Sequence, residues 1–140
     1  MKNTVLINCP LIDEKDLKEL GESPCGADTE FERVRVHGLF GSEMVQVTFV
    51  ILQGIGINAA YDLIKYTLLH VLKRISAKGK EKDRSGAGTT IRIEVSEQDG
   101  KGKIGKRRSV EITTSYEMNP EEREKTVSRL AEDLLDGKGK

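Results

Sequence analysis

The sequence predicts a two-layer α+β fold, with helices packed on one face of a mainly antiparallel sheet, in the order β-α-β-β-α-β-β-α. Three observations predict it. Apolar residues alternate at period two in Ile91, Ile93 and Val95 and again in Val110 and Ile112, the signature of half-buried strands. Two stretches carry apolar residues at helical spacing, Ala60 to Ile75 and Val127 to Leu134. The chain has 140 residues, 36% of them hydrophobic, with three Phe, three Tyr and no Trp. That is enough for one small aliphatic core. Residues 1–137 read as one domain and 138–140 as a tail.

Thr4 to Asn8 reads as a first strand with Val5 and Ile7 on one face, ended by Cys9-Pro10. Asp13 is the expected N-cap of a first helix, with Asp16 three residues on, Leu17 and Leu20 as its apolar stripe, and Gly21 as the residue just past its end. Glu22 to Thr29 is a loop. Glu30 to His37 reads as a strand and Gly38 to Ser42 as a turn. From Met44 to Leu52, Val45, Val47, Phe49 and Ile51 share a face at period two, which reads as a strand; a helix starting earlier is the alternative for so apolar a run.

Gln53-Gly54-Ile55-Gly56-Ile57 breaks that pattern. Asn58 then caps the longest helix, with Asp62 in its first turn, Lys73 and Arg74 in its last, and Gly79 closing it. Ser76 to Gly88 reads as a charged loop. The strands of Ile91–Val95 and Val110–Ile112 form a hairpin with a long tip, Glu97 to Arg108. Asn119, Pro120 and Glu122 open the last helix as N-cap, first helical residue and capping-box partner. Val127, Leu130, Ala131 and Leu134 are its stripe, and Gly137 ends it.

The N-terminal apolar run is too short for a signal peptide and acidic residues begin at Asp13. The longest uncharged window, Met44 to Tyr61, is 18 residues and contains Gln46, Thr48, Gln53 and Asn58; no membrane span is expected, because spanning takes about 20 predominantly apolar residues. Cys9 and Cys25 read as reduced thiols of a cytoplasmic protein.

No catalytic constellation stands out. His37 and His70 lie near no Cys or Ser in a recognisable signature, and His70 falls one residue off the apolar stripe, as a structural or surface histidine would. Acidic neighbours Glu22 and Asp28 disfavour a thiolate at Cys25. The two Cys and two His lack zinc-site spacing, and the acidic residues of 13–32 lack the glycine-centred loop of calcium sites. Gly54-Ile55-Gly56-Ile57-Asn58-Ala59 matches G-x-G-x-x-A. No acidic residue ends a second parallel strand about twenty residues on, so tight backbone packing at a strand-to-helix turn is the better reading and no cofactor is expected.

Charge is unevenly spread, although 23 Lys and Arg balance 23 Asp and Glu. Residues 73–108 hold 12 basic and 5 acidic side chains, residues 13–32 hold 8 acidic and 2 basic, and residues 117–136 hold 7 acidic and 3 basic. The expected interaction residues are a basic patch, Lys78, Lys80, Lys82, Arg84, Lys101, Lys103, Lys106, Arg107 and Arg108, and an acidic patch, Asp13, Glu14, Asp16 and Glu19. Such opposed patches suit docking to a complementary protein or self-association. The basic tip also suits phosphate contacts, though no aromatic residue interleaves with it for base stacking.

From Met44 onward, the apolar segment, the Gln53-Gly54-Ile55-Gly56 break, the long helix ending in basic residues, the charged loop, the strands Ile91-Arg92-Ile93-Glu94-Val95 and Ser109-Val110-Glu111-Ile112, and the closing helix through Leu130 and Leu134 together resemble the effector-associated constant components, a family of small bacterial proteins. The likeness covers roughly the last two-thirds of the chain; the first forty residues and the long hairpin tip depart from it. It implies a non-catalytic adaptor of a bacterial conflict or defence system, coupling effector and sensor proteins. The expected function is therefore a non-enzymatic protein-interaction module, with nucleic-acid binding through the basic tip, or an immunity protein or antitoxin acting through its acidic surface, as the alternatives.

Overall fold

The computed structural model describes residues 2–9, 11–23, 28–34, 44–81, 88–99, 101, 103–115 and 119–136. The elements are β1 (Asn3–Asn8), α1 (Glu14–Glu22), β2 (Thr29–Arg33), β3 (Met44–Leu52), α2 (Ile57–Glu81), β4 (Gly88–Gln98), β5 (Ile104–Ser115) and α3 (Pro120–Asp136). The α+β class and the element order are those the sequence predicts.

Five strands form one sheet in the order β2-β1-β3-β4-β5. It is mixed rather than mainly antiparallel: β1/β2 and β3/β4 run parallel, while β1/β3 and β4/β5 run antiparallel. The reason lies in the connections. Each of the first two helices returns the chain to the starting end of the sheet, so the strand after it lies parallel to the strand before it. Alternation along a strand carries no such directional information.

Every strand of the sheet's middle presents period-two burial. Val5 and Ile7 of β1, Val45, Val47, Phe49 and Ile51 of β3, and Ile91, Ile93 and Val95 of β4 are buried under the helices. Helix α2 contributes Leu63, Ile64, Leu68, Val71, Leu72 and Ile75, and α3 contributes Val127, Leu130, Ala131 and Leu134, to the same continuous core. The opposite face of the sheet has no helix on it among the described residues. Thr4, Leu6, Gln46, Thr48 and Val50 there are only half-buried.

Several boundaries differ from the sequence expectation. Helix α1 includes Gly21 and is closed by Ser23, whose N–H and Oγ both donate to the Leu20 carbonyl at 3.2 and 2.6 Å. Helix α2 begins at Ile57, where the Ala60 N–H donates to the Gly56 carbonyl at 3.2 Å. Asn58 therefore lies inside it and Asp62 in its second turn. At its other end α2 runs through Gly79 to Glu81, so Ser76 to Glu81 are helical where a loop is expected and Lys73 and Arg74 lie ahead of the last turn. Strand β2 ends at Arg33; His37 and the Gly38–Ser42 turn lie outside the described residues, as do Gly137 and the tail.

The largest difference is the hairpin. Instead of a tip spanning Glu97 to Arg108, β4 and β5 are joined only by residues 99–103. Asp99 organises that turn: its Oδ1 accepts the N–H groups of Lys101 and Lys103 at 2.8 and 2.9 Å, and its own N–H donates to the Lys103 carbonyl. An aspartate closing a turn through its own side chain is well suited to this position. The ladder shifts register between Ser96 and Gln98 to meet Ile104.

Candidate interaction surface

Strand β5 is one of the two edges of the sheet, β2 being the other, and its outer side has no strand beside it among the described residues. The register with β4 assigns its side chains to faces. Arg108, Val110 and Ile112 lie opposite Val95, Ile93 and Ile91 on the helix-covered side, where Val110 and Ile112 are half-buried. Arg107, Ser109, Glu111 and Thr113 lie opposite Ser96, Glu94, Arg92 and Thr90 on the open side, and all four are exposed.

The expected basic patch is divided by this arrangement. Lys101 and Lys103 are exposed on the turn, and Arg107 is exposed on the open face. Arg108 points the other way: its guanidinium donates to the carbonyls of Leu134 and Leu135, both at 2.9 Å. Those are carbonyls of the last turn of α3, which lack partners within the helix and carry the negative end of its dipole. Arg108 therefore ties α3 to β5 and is not part of the exposed surface. Lys106 belongs to β5, and Lys78 and Lys80 to the last turns of α2, but their side chains lie outside the described residues, as do Lys82 and Arg84 altogether.

The expected acidic patch is likewise divided. Asp13 and Asp16 form a reciprocal capping box, the Asp16 N–H donating to Asp13 at 3.0 Å and the Asp13 N–H to Asp16 Oδ2 at 2.9 Å. Asp16 is buried, and its other oxygen accepts a bond from His70 Nε2 at 2.9 Å and lies 3.4 Å from Arg74 Nε. Burial pushes the Asp16 carboxyl up, but the Asp13 N–H, the His70 bond and the Arg74 charge outweigh it and hold the group below the ordinary aspartate range. Only Glu14, Glu19 and the capping Asp13 remain exposed.

Glu19 completes a group with Asp16 and His70 whose ligand atoms lie within 4.8 Å of one another, a juxtaposition across two helices that spacing along the chain could not reveal. A divalent cation there would compete with Arg74 for the same carboxylate oxygen and with the capping box for the other. Asp16 is engaged with His70 and Arg74 as a tie between α1 and α2, a structural role and so one of the two, structural or surface, expected of His70.

The Gly54–Gly56 turn joins β3 to α2 with φ of 90° and 86° at its two glycines, and a Cβ at either would meet nothing within 4 Å. Backbone conformation, not tight packing, requires glycine here. A groove of about 870 Å³ lies on one side of the turn, between Asn3, Asp28, Asp62 and Tyr66. A smaller one of about 260 Å³ lies on the other, beside Glu97, Arg108 and Leu135. The parallel β3-α2-β4 unit is the frame in which a dinucleotide turn operates. The acidic residue at its far end, Glu97, follows the glycines by much more than the usual interval, however, and the groove it lines falls below the roughly 300–1,000 Å³ of small-molecule sites. Cys9 is a buried free thiol, raised by that burial; Cys25 lies outside the described residues. No helix among the described residues is long and apolar enough to cross a membrane.

No family model matches the chain, and neither curated proteins nor solved structures yield a match.

Proposed function

We propose that this chain is a non-catalytic protein-interaction module that docks through strand β5 and the turn preceding it. The observation carrying this reading is the edge of β5, open among the described residues, a twelve-residue strand with exposed Ile104 and Arg107 near its start and exposed Lys103 just before it. An edge strand presents a row of backbone N–H and C=O groups that an incoming segment can satisfy. Val110 and Ile112, half-buried at the margin of the helix layer, offer apolar area beside it. The resemblance of the region from Met44 onward to effector-associated constant components supports an adaptor role in a bacterial conflict system, with a cytoplasmic location.

The second reading, nucleic-acid binding, is favoured by the same cations, Lys101, Lys103 and Arg107. It is the weaker one, because Arg108 is engaged with α3 and no aromatic residue lies between Asp99 and Ser115. An immunity-protein reading loses Asp16, which is buried, from its four acidic residues.

The test is a pull-down from source-cell lysate with and without nuclease, comparing the wild type with K101E/K103E/R107E. Nuclease-resistant capture that the variant loses is the expected result. Capture unchanged in the variant refutes the placement on β5. Recovery that nuclease abolishes, with an affinity falling steeply with salt as counterion release requires, overturns the reading in favour of nucleic acid.

A further inference from the structure

We propose that the first partner of the β5 edge is the β5 edge of a second copy, paired antiparallel about a two-fold axis at Ser109. The inference rests on β5 being the docking edge and names what docks there.

The exposed face of the strand carries both signs of charge. Arg107 and Glu111 are exposed two residues to either side of Ser109 on that face. In an antiparallel pair centred on Ser109, Arg107 of one copy stands opposite Glu111 of the other, and the same contact recurs across the axis. Opposite charges directly across a ladder are favourable and like charges are not. An all-acidic strand from another protein would set a carboxylate against Glu111, and an all-basic one would set a cation against Arg107. A second copy avoids both. On the helix-covered face the same register sets Val110 against the stem of Arg108, whose charge is held by the α3 carbonyls.

The pairing runs from Gly105 to Thr113, about 30 Å of strand, and joins two five-stranded sheets into one. A two-fold contact of this kind closes on itself, so it yields dimers and no fibre. Glu111 also lies opposite Arg92 of its own β4, so each Glu111 would sit between two arginines in the joined sheet.

The test is sedimentation equilibrium of the purified chain from about 10 µM to 1 mM at 150 mM salt, with R107E, E111R and E111Q alongside and circular dichroism as a check on folding. Dimerisation of the wild type is expected. R107E and E111R should each weaken it at least about tenfold, and E111Q, which removes the pair without adding a cation beside Arg92, by less. An equimolar mixture of R107E and E111R should dimerise again, because both cross-strand contacts then become Glu–Arg. A wild type that stays monomeric to 1 mM overturns the proposal, as does a mixture no tighter than its components. If the chain is monomeric yet still captures a protein through Arg107, self-pairing fails and the interaction module stands; loss of both removes β5 from either role.

Discussion

Replacing Asp16 by alanine removes three interactions from one side chain. The first is the bond accepted from the Asp13 N–H, half of a capping box, for which caps suggest about 0.5–1.5 kcal/mol. The second is the bond from His70; hydrogen bonds to a charged group contribute about 1.5–3 kcal/mol. The third is Arg74, whose side chain is one-third exposed, 34%, and so contributes under about 1 kcal/mol. Together these give about 3 kcal/mol, a large fraction of the roughly 5–15 kcal/mol that holds a domain folded. For a chain of this size that is a fall in Tm of about 10 °C. Glu19→Ala, at the exposed member of the same group, should stay within about 0.5 kcal/mol. The pH dependence provides an independent arm. A carboxyl held below its unfolded value, about 3.9, contributes stability that is complete above that value and is lost as pH falls through the folded one. The gap between wild type and Asp16→Asn should therefore narrow as pH falls below about 4. Thermal melts by circular dichroism above and below that pH decide the matter. An Asp16→Ala Tm within 3 °C of wild type, or a gap that does not narrow below about pH 4, refutes the tie between α1 and α2.

Two further outcomes follow from the same geometry. Arg108→Ala, which strips two carbonyl partners from the end of α3, should lower stability by about 1–3 kcal/mol in a urea titration. Reversing Arg107 instead should leave that titration within about 0.5 kcal/mol. Glycine substitutions should differ in sign: Gly56→Ala, at φ 86°, should cost about 1–2 kcal/mol, whereas Gly21→Ala, exposed in α1 with open space around it, should stabilise by about 0.5–1 kcal/mol.

Helix and strand identities were legible because each has a local cause. Asp13 with Asp16, and Asn119 with Glu122, form the caps their spacing predicts, and Val45 to Ile51 point inward as period two requires. What local pattern could not carry was distance. Lys106, Arg107 and Arg108 look like a polar loop because Arg107 on the open face is followed by a second arginine on the helix-covered face, so no polar-apolar alternation shows at the start of β5. The direction of strand pairing depends on where a helix returns the chain. The meeting of Asp16 with His70 and Arg74 spans 54 residues of separation, and it draws a residue assigned to the surface into the interior. Arg108 follows the same rule: its partners lie at the far end of α3.

The place of β1 between β2 and β3 also bears on how the molecule is divided. The segment from Met44 to Asp136 builds β3, α2, β4, β5 and α3 from contiguous chain, a three-stranded sheet with two helices of its own. Left alone, that block would present two bare margins, β3 and β5. The first margin is sealed from within, by β1 lying antiparallel along Thr48 and its neighbours with α1 pinned to α2 behind it. The N-terminal unit thus acts as an intramolecular guard strand: the protein closes one side of its principal block with its own chain and, among the described residues, leaves the other bare.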